Sequence, residues 1–111
     1  RGDPADYDRW ASNGAQGWSY REVLPYFRKL ENWAGGESAA RAVGGPVDVE
    51  WTDSSDPLFD GWRAAFAEAG IPQVEDPAAS GMFGLSRAQC TTGRGRRASA
   101  SNAYLKPARN R

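Results

Sequence analysis

Apolar residues recur along this chain in short bursts separated by glycine, proline and small polar residues, and the period changes from one burst to the next. Asp3-Pro4 predicts a helix start, because the carboxylate can accept from backbone N–H groups of the first turn and Pro at the first helical position gives up a donor that has no partner there. Tyr7, Trp10 and Ala11 share a face of that short helix, which Gly14 ends. A fuller start lies at Ser19-Tyr20-Arg21-Glu22, a capping box, with Trp18 and Val23 placed as a hydrophobic staple. Val23, Tyr26, Phe27, Leu30, Trp33 and Ala34 follow at helical spacing, so the stripe predicts an amphipathic helix that continues past residue 30. Pro25 sits inside the stripe. Its missing N–H predicts a kink or a tightened first turn, at a cost of about 3 kcal/mol where packing does not compensate.

Residues 34–45 are small and glycine-rich and read as an exposed loop, whereas Pro46-Val47-Asp48-Val49-Glu50-Trp51 alternates apolar with acidic as a half-buried strand does. Asp56-Pro57 repeats the cap-plus-proline device. It opens a third helix whose buried side is predicted as Leu58, Phe59, Trp62, Phe66 and Ala69, closed by Gly70 and Pro72. Gly61 weakens this helix by roughly 1 kcal/mol relative to Ala. Residues 71–82 read as an irregular crossing, Leu85 to Thr92 as a strand, and Gly93 to Arg97 as a turn. A last helix opens at Ala98 or Ser99, carries Ala103, Tyr104 and Leu105, and ends at Pro107.

A chain of 111 residues is the size of one domain and could bury about two thirds of its unfolded surface. Composition tempers this: hydrophobic residues make up 40%, thirteen glycines and seven prolines interrupt the chain, and mean hydropathy is -0.70. A loop-rich domain, marginal on its own, is expected. Fourteen basic and fourteen acidic residues cancel, which argues against bulk attraction to nucleic acid or an anionic membrane. The charges are unevenly spread. No acid follows Asp76, while Arg87, Arg94, Arg96, Arg97, Lys106, Arg109 and Arg111 are all basic. Cys90 is the single cysteine, so neither an intramolecular disulfide nor a cysteine-based metal site can be built, and a reducing, cytoplasmic location is expected. No apolar run of about eighteen residues predicts a membrane span.

Candidate chemistry is sparse. Gly93-Arg94-Gly95-Arg96-Arg97-Ala98 matches a dinucleotide fingerprint in its GxGxxA form, between a predicted strand and a predicted helix. That chemistry needs backbone N–H groups and a helix N-terminus aimed at a pyrophosphate, with an acid beyond for a ribose. No acid follows, and a glycine-rich turn is the preferred reading. The same arginines could hold nucleic-acid phosphates, but the five tryptophans that might stack on bases occupy core-facing or stapling positions. Arg1-Gly2-Asp3 spells an adhesion tripeptide and Arg96-Arg97-Ala98-Ser99 a basic-directed phosphorylation motif, both short enough to arise by chance. With no histidine in the chain and its acids mostly at caps, no tuned acid–base pair is evident. Cys90, with no imidazole partner, reads as a small core residue.

Taken in order, a set of segments resembles the glucose-methanol-choline (GMC) family of flavin-dependent oxidoreductases. Arg1-Gly2 with Asp6-Tyr7-Asp8-Arg9-Trp10 is similar to the tail of the family's first signature. Gly17-Trp18-Ser19-Tyr20 with Val23-Leu24-Pro25-Tyr26-Phe27 resembles its most recognisable helix. Gly44-Gly45-Pro46, Phe66-Ala67-Glu68-Ala69-Gly70-Ile71-Pro72 and Gly84, Gln89, Thr91 keep the family order. So do Gly95-Arg96-Arg97-Ala98-Ser99-Ala100 and Ala103-Tyr104-Leu105-Lys106-Pro107-Ala108. The flavour is choline dehydrogenase-like. Two loops depart: Ala40-Arg41-Ala42-Val43 stands where the family often carries a histidine, and Pro77-Ala78 replaces an Asn-Gly turn after Asp76.

The resemblance implies an α+β piece of a GMC flavoenzyme, with three to four helices, two principal strands and long loops. It would form a single partial domain over residues 1–111 that covers the flavin and shapes the substrate side. It further implies FAD as cofactor, a small-molecule alcohol as substrate, and flavin-binding and C-terminal segments of the same protein as partners. The expected chemistry is hydride transfer to flavin while a histidine beyond this chain removes the hydroxyl proton. Arg1 and Gly2 are the positions carried over to the neighbourhood of the cofactor, and no catalytic or metal-binding residue is expected here. The alternative from another class is a small basic-tailed binding module for nucleotide or nucleic acid.

Overall fold

A computed structural model of the chain describes residues 1–53, 55–81 and 83–109. Arg111, the last of the predicted basic run, and Met82, at the end of the predicted crossing, lie outside the described residues.

The first two helices form as their caps dictate. In α1 (Pro4–Ser12) the Asp3 carboxylate accepts from the Ala5 N–H at 2.9 Å. In α2 (Tyr20–Leu30) the Glu22 carboxylate accepts from the Ser19 N–H at 3.1 Å and from its hydroxyl. Those bonds hold the Glu22 carboxyl below the usual carboxylate range. The two helices are joined through Tyr7, whose buried ring meets Trp10, Phe27 and Tyr20 at 5.2, 5.7 and 6.1 Å. Asp8 adds a bond to the Tyr20 N–H at 2.9 Å, so one acid of α1 helps start α2.

The predicted helix stripe through Trp33 and Ala34 is overridden. Glu31 is extended (φ -93°, ψ 138°) and opens β1 (Glu31–Trp33), which runs parallel to β2 (Val47–Trp51) with Glu31 opposite Val47 and Trp33 opposite Val49. Tertiary contacts explain the switch. The Trp33 N–H is taken by the Ala42 carbonyl, its ring packs against Trp51 at 4.3 Å, and the Glu31 carboxylate is drawn into a buried ion cluster. A parallel pair requires a crossover, here residues 34–46, and Gly45 lets it close tightly: a Cβ there would lie 2.5 Å from the Glu31 backbone. β3 (Gln89–Cys90) pairs antiparallel with the far end of β2, completing a sheet of order β1-β2-β3. Strand character between Leu85 and Thr92 is thus confined to Gln89–Cys90, with Leu85 bridging Gln73 and Thr92 entering the next hairpin.

α3 (Pro57–Glu68) starts on Asp56, which accepts from the Leu58 N–H at 2.9 Å. No residue of α3 is buried. Phe59 and Phe66 are half-covered, but Leu58 and Trp62, predicted as core, are 67% and 54% exposed. A short helix α4 (Pro77–Ser80) is capped by Asp76. The chain then forms a hairpin, β4 (Thr92–Gly93) against β5 (Arg96–Arg97), around Arg94 (φ +53°) and Gly95 (φ +72°). Paired left-handed residues are what a two-residue hairpin turn requires. The predicted final helix is instead a wide π-type turn over Ser101–Leu105 running into α5 (Lys106–Ala108), with Pro107 inside its first turn rather than beyond its end.

Among the described residues the buried apolar set is Tyr7, Trp33, Ala42 and Val47, and no side chain falls below 2% exposure. The Cα radius of gyration is 16.5 Å, against about 13 Å for a compact domain of this length. Cys90, read as a core residue, is exposed, and Trp10 and Trp18 are about half exposed. The core-facing reading of the tryptophans therefore holds for Trp33 and in part for Trp51.

Candidate functional site

The most heavily buried polar group is Arg41, at 3% exposure, on the crossover between β1 and β2. Its guanidinium makes a two-pronged contact with Asp76, from Nε at 2.9 Å and a terminal nitrogen at 2.6 Å. The other terminal nitrogen reaches Glu31 at 2.7 Å, Gln89 accepts a further bond, and the plane lies 4.3 Å from the Trp33 ring centroid. Arg1 joins from the other side, reaching Glu31 at 2.5 Å and the Ala40 carbonyl, with Phe27 beneath it at 5.4 Å.

Two cations and two carboxylates therefore balance in one buried cluster that ties the first residue, the end of α2, the crossover, the cap of α4 and β3. Burial works against the charge on Arg41, but its bonds to Asp76 and Glu31 outweigh this and hold its pKa above the ordinary value. Burial likewise raises Asp76, yet Arg41, the Gln89 amide and the Ala78 N–H together hold its carboxyl below the usual range. Such a cluster is weak evidence of net stabilisation, because desolvation offsets the attraction, but removing one member leaves the others buried and unpaired. The chemistry it supports is therefore positional: it fixes remote segments in one arrangement.

Arg1 and Gly2 both come to this cluster's edge. Arg1 spends its guanidinium on Glu31 and Ala40, and its side chain is 9% exposed. The Gly2 N–H donates to the Tyr7 hydroxyl at 3.0 Å. Burial of Arg1 leaves the adhesion tripeptide without its free cation. Arg41, Glu31 and Gln89 were not identified as partners from the sequence, since pairs such as Arg41–Asp76 lie 35 residues apart. Asp76 falls in the stretch that the sequence predicts as an irregular crossing, whereas the structure makes it the cap of α4.

The GxGxxA segment is a strand–turn–strand hairpin, so it lacks the helix N-terminus that dinucleotide binding needs. Among the described residues no buried side-chain polar atom lacks a partner, and no group of acids, Cys or His could hold a metal ion. Nor is any described helix long and apolar enough to cross a membrane. An open cleft of about 540 Å³ lies between α3 and the segments 73–75 and 85–87, walled by Trp51, Phe59, Arg63 and Arg87.

Comparison with known proteins accounts for the arrangement. The family model described as GMC oxidoreductase matches residues 1–111. The chain is 42% identical over all its length to an oxygen-dependent choline dehydrogenase of Brucella anthropi, and 43% to that of Sinorhizobium fredii. It covers 20% of each relative, so it spans about a fifth of the length of the curated relatives it matches. Among solved structures, a pyridoxine 4-oxidase from Mesorbium loti superposes with a TM-score of 0.83 at 31% identity, over 97% of this chain and 22% of that one. An FAD-dependent oxidoreductase from Chaetomium thermophilum gives 0.82 at 30% identity, over 98% and 21%. On both the sequence and the α+β arrangement, the chain belongs to the GMC oxidoreductase family.

Proposed function

We propose that residues 1–111 are a partial domain of an FAD-dependent oxidoreductase that oxidises the CH–OH group of a small alcohol such as choline. The observation that carries this is the family match across every residue, joined to more than 40% identity with choline dehydrogenases of two organisms. FAD, when bound, supplies the hydride acceptor, and the protein contributes positioning and electrostatics. This chain has no histidine, so a histidine that removes the hydroxyl proton would belong to the remainder of the protein. The segment alone is inactive on this reading.

Its own residues serve as frame. The Arg41 cluster holds Arg1, the crossover and β3 together, and through them fixes the sheet on which the substrate side is built. Arg1 and Gly2 stay as proposed neighbours of the cofactor through their backbone, since the Arg1 head group is already committed. A single, exposed Cys90 fits a reducing, cytoplasmic compartment.

Expressing the complete reading frame tests the proposal. The purified protein is expected to carry flavin absorbance and to reduce an electron-accepting dye with choline, and much more slowly with pyridoxine. Absence of both flavin and alcohol-dependent reduction overturns it; faster turnover of pyridoxine corrects the substrate.

A further inference from the structure

We propose that the β4–β5 hairpin is a cationic clamp that seats a carboxylate-rich segment of the same protein lying outside residues 1–111. The inference rests on the reading above that these residues belong to a longer oxidoreductase chain. Arg94, Arg96 and Arg97 are all exposed, and among the described residues none of them makes an ion pair or a side-chain hydrogen bond. Arg1, Arg9, Arg28, Arg41 and Arg63, by contrast, each pair with an acid. The three line an open cleft of about 580 Å³ together with Pro46, Asp48 and Asn102.

The hairpin is held in place rather than dangling. Gly93 lies so close to the Asp48 side chain that a Cβ could not be added, the Ala98 N–H donates to the Thr91 carbonyl at 2.9 Å, and the Asn102 amide donates to the Arg97 carbonyl at 3.1 Å. Asp48 is itself engaged by the Asn32 amide at 2.7 Å. The clamp therefore sets three cations against the single Asp48 carboxylate on a fixed base, in a stretch with no acid after Asp76. Charge complementarity calls for an anionic occupant.

Two features favour a polypeptide over a phosphate. A phosphate site gathers backbone N–H groups at one point, commonly a helix N-terminus, whereas this segment is a paired hairpin whose Ala98 N–H goes to Thr91. Its cations are instead spread over the turn and β5, as suits several carboxylates on an extended chain. Relatives five times as long have ample chain to supply such a segment.

The test is arginine footprinting of the full-length, flavin-loaded protein with phenylglyoxal in phosphate-free, low-salt buffer, read by mass spectrometry. Arg94, Arg96 and Arg97 are expected to react several-fold more slowly in the native protein than in urea. Reaction at the unfolded rate overturns the clamp, and so does protection that appears only after adding inorganic phosphate or a single-stranded oligonucleotide. Replacing all three with Glu (R94E, R96E, R97E) is expected to lower the melting temperature more than replacing them with Lys, and the gap should shrink in high salt; equal melting contradicts the proposal. Flavin content and dye reduction on the same preparation separate the two readings. An active flavoprotein with fast-reacting arginines sinks the clamp alone, whereas a flavin-free protein sinks the oxidoreductase reading while the footprint still reports on the cleft.

Discussion

The half of the chain built on α1, α2, β1 and β2 and the half that carries α3 and the β4–β5 hairpin solve the same problem differently. The first holds the buried groups, with Tyr7 meeting three aromatic rings edge-on or tilted and Arg41 spending all its donor nitrogens on Glu31 and on Asp76 and Gln89 from the second. The second leaves large groups in solvent, with Leu58 and Trp62 more than half exposed and the three hairpin arginines unpaired among the described residues. Large apolar side chains left in a row mark surfaces meant to be covered. The contrast separates what this chain builds alone from what it presents to another segment.

The comparison breaks most visibly at Arg41. In the full-length protein Arg41→Ala is expected to cost about 3–5 kcal/mol, because it leaves Asp76 without a cation and Glu31 with Arg1 alone. Arg41→Lys should recover part of this, since Lys cannot span Asp76 with a two-pronged contact. Urea denaturation measures both.

Trp62→Ala sharpens the other half. If α3 is covered in the complete protein, loss of this ring costs about 3–5 kcal/mol there; an exposed Trp62 would change stability by no more than about 0.5 kcal/mol. Gly45→Ala comes next. Its added methyl meets the Glu31 backbone, which should cost about 1–3 kcal/mol by overpacking. Asp56→Ala removes the α3 cap and is expected to cost about 1 kcal/mol.

The smallest effect concerns pH. Asp76 titrates below its unfolded value of 3.8 because Arg41, Gln89 and the Ala78 N–H favour its carboxylate over the cost of burial. Its contribution is therefore fully present above that pH and is lost as pH falls through the lower folded value. Melting temperature should drop more steeply below about pH 4 in the natural sequence than in Asp76→Asn.

Local signals survived folding and long-range ones did not. Asp3, Ser19 with Glu22, and Asp56 all cap helices as their spacing predicts, because a cap needs only a few neighbouring residues. The helical stripe through Trp33 failed where pairing with β2 and the pull of Arg41 on Glu31 outweighed periodicity. Leu58 and Trp62 show the converse: their pattern is that of a buried face, but the face has nothing to meet within these residues. The Arg41 cluster was invisible for a different reason. Its members are separated by tens of residues and joined only by the parallel crossover, so no window of sequence contains the site. Arg41 itself stood out solely as a departure where related loops carry histidine.

The central claim is that α3 and the β4–β5 hairpin are interior surfaces of a complete flavoenzyme, and amide hydrogen exchange on the full-length, flavin-loaded protein tests it most directly. Amides of residues 57–68 and 92–97 are expected to exchange as slowly as those of the β1–β2 pair. Exchange in these segments at the rate of a frayed helix, while β1 and β2 stay protected, would contradict the account.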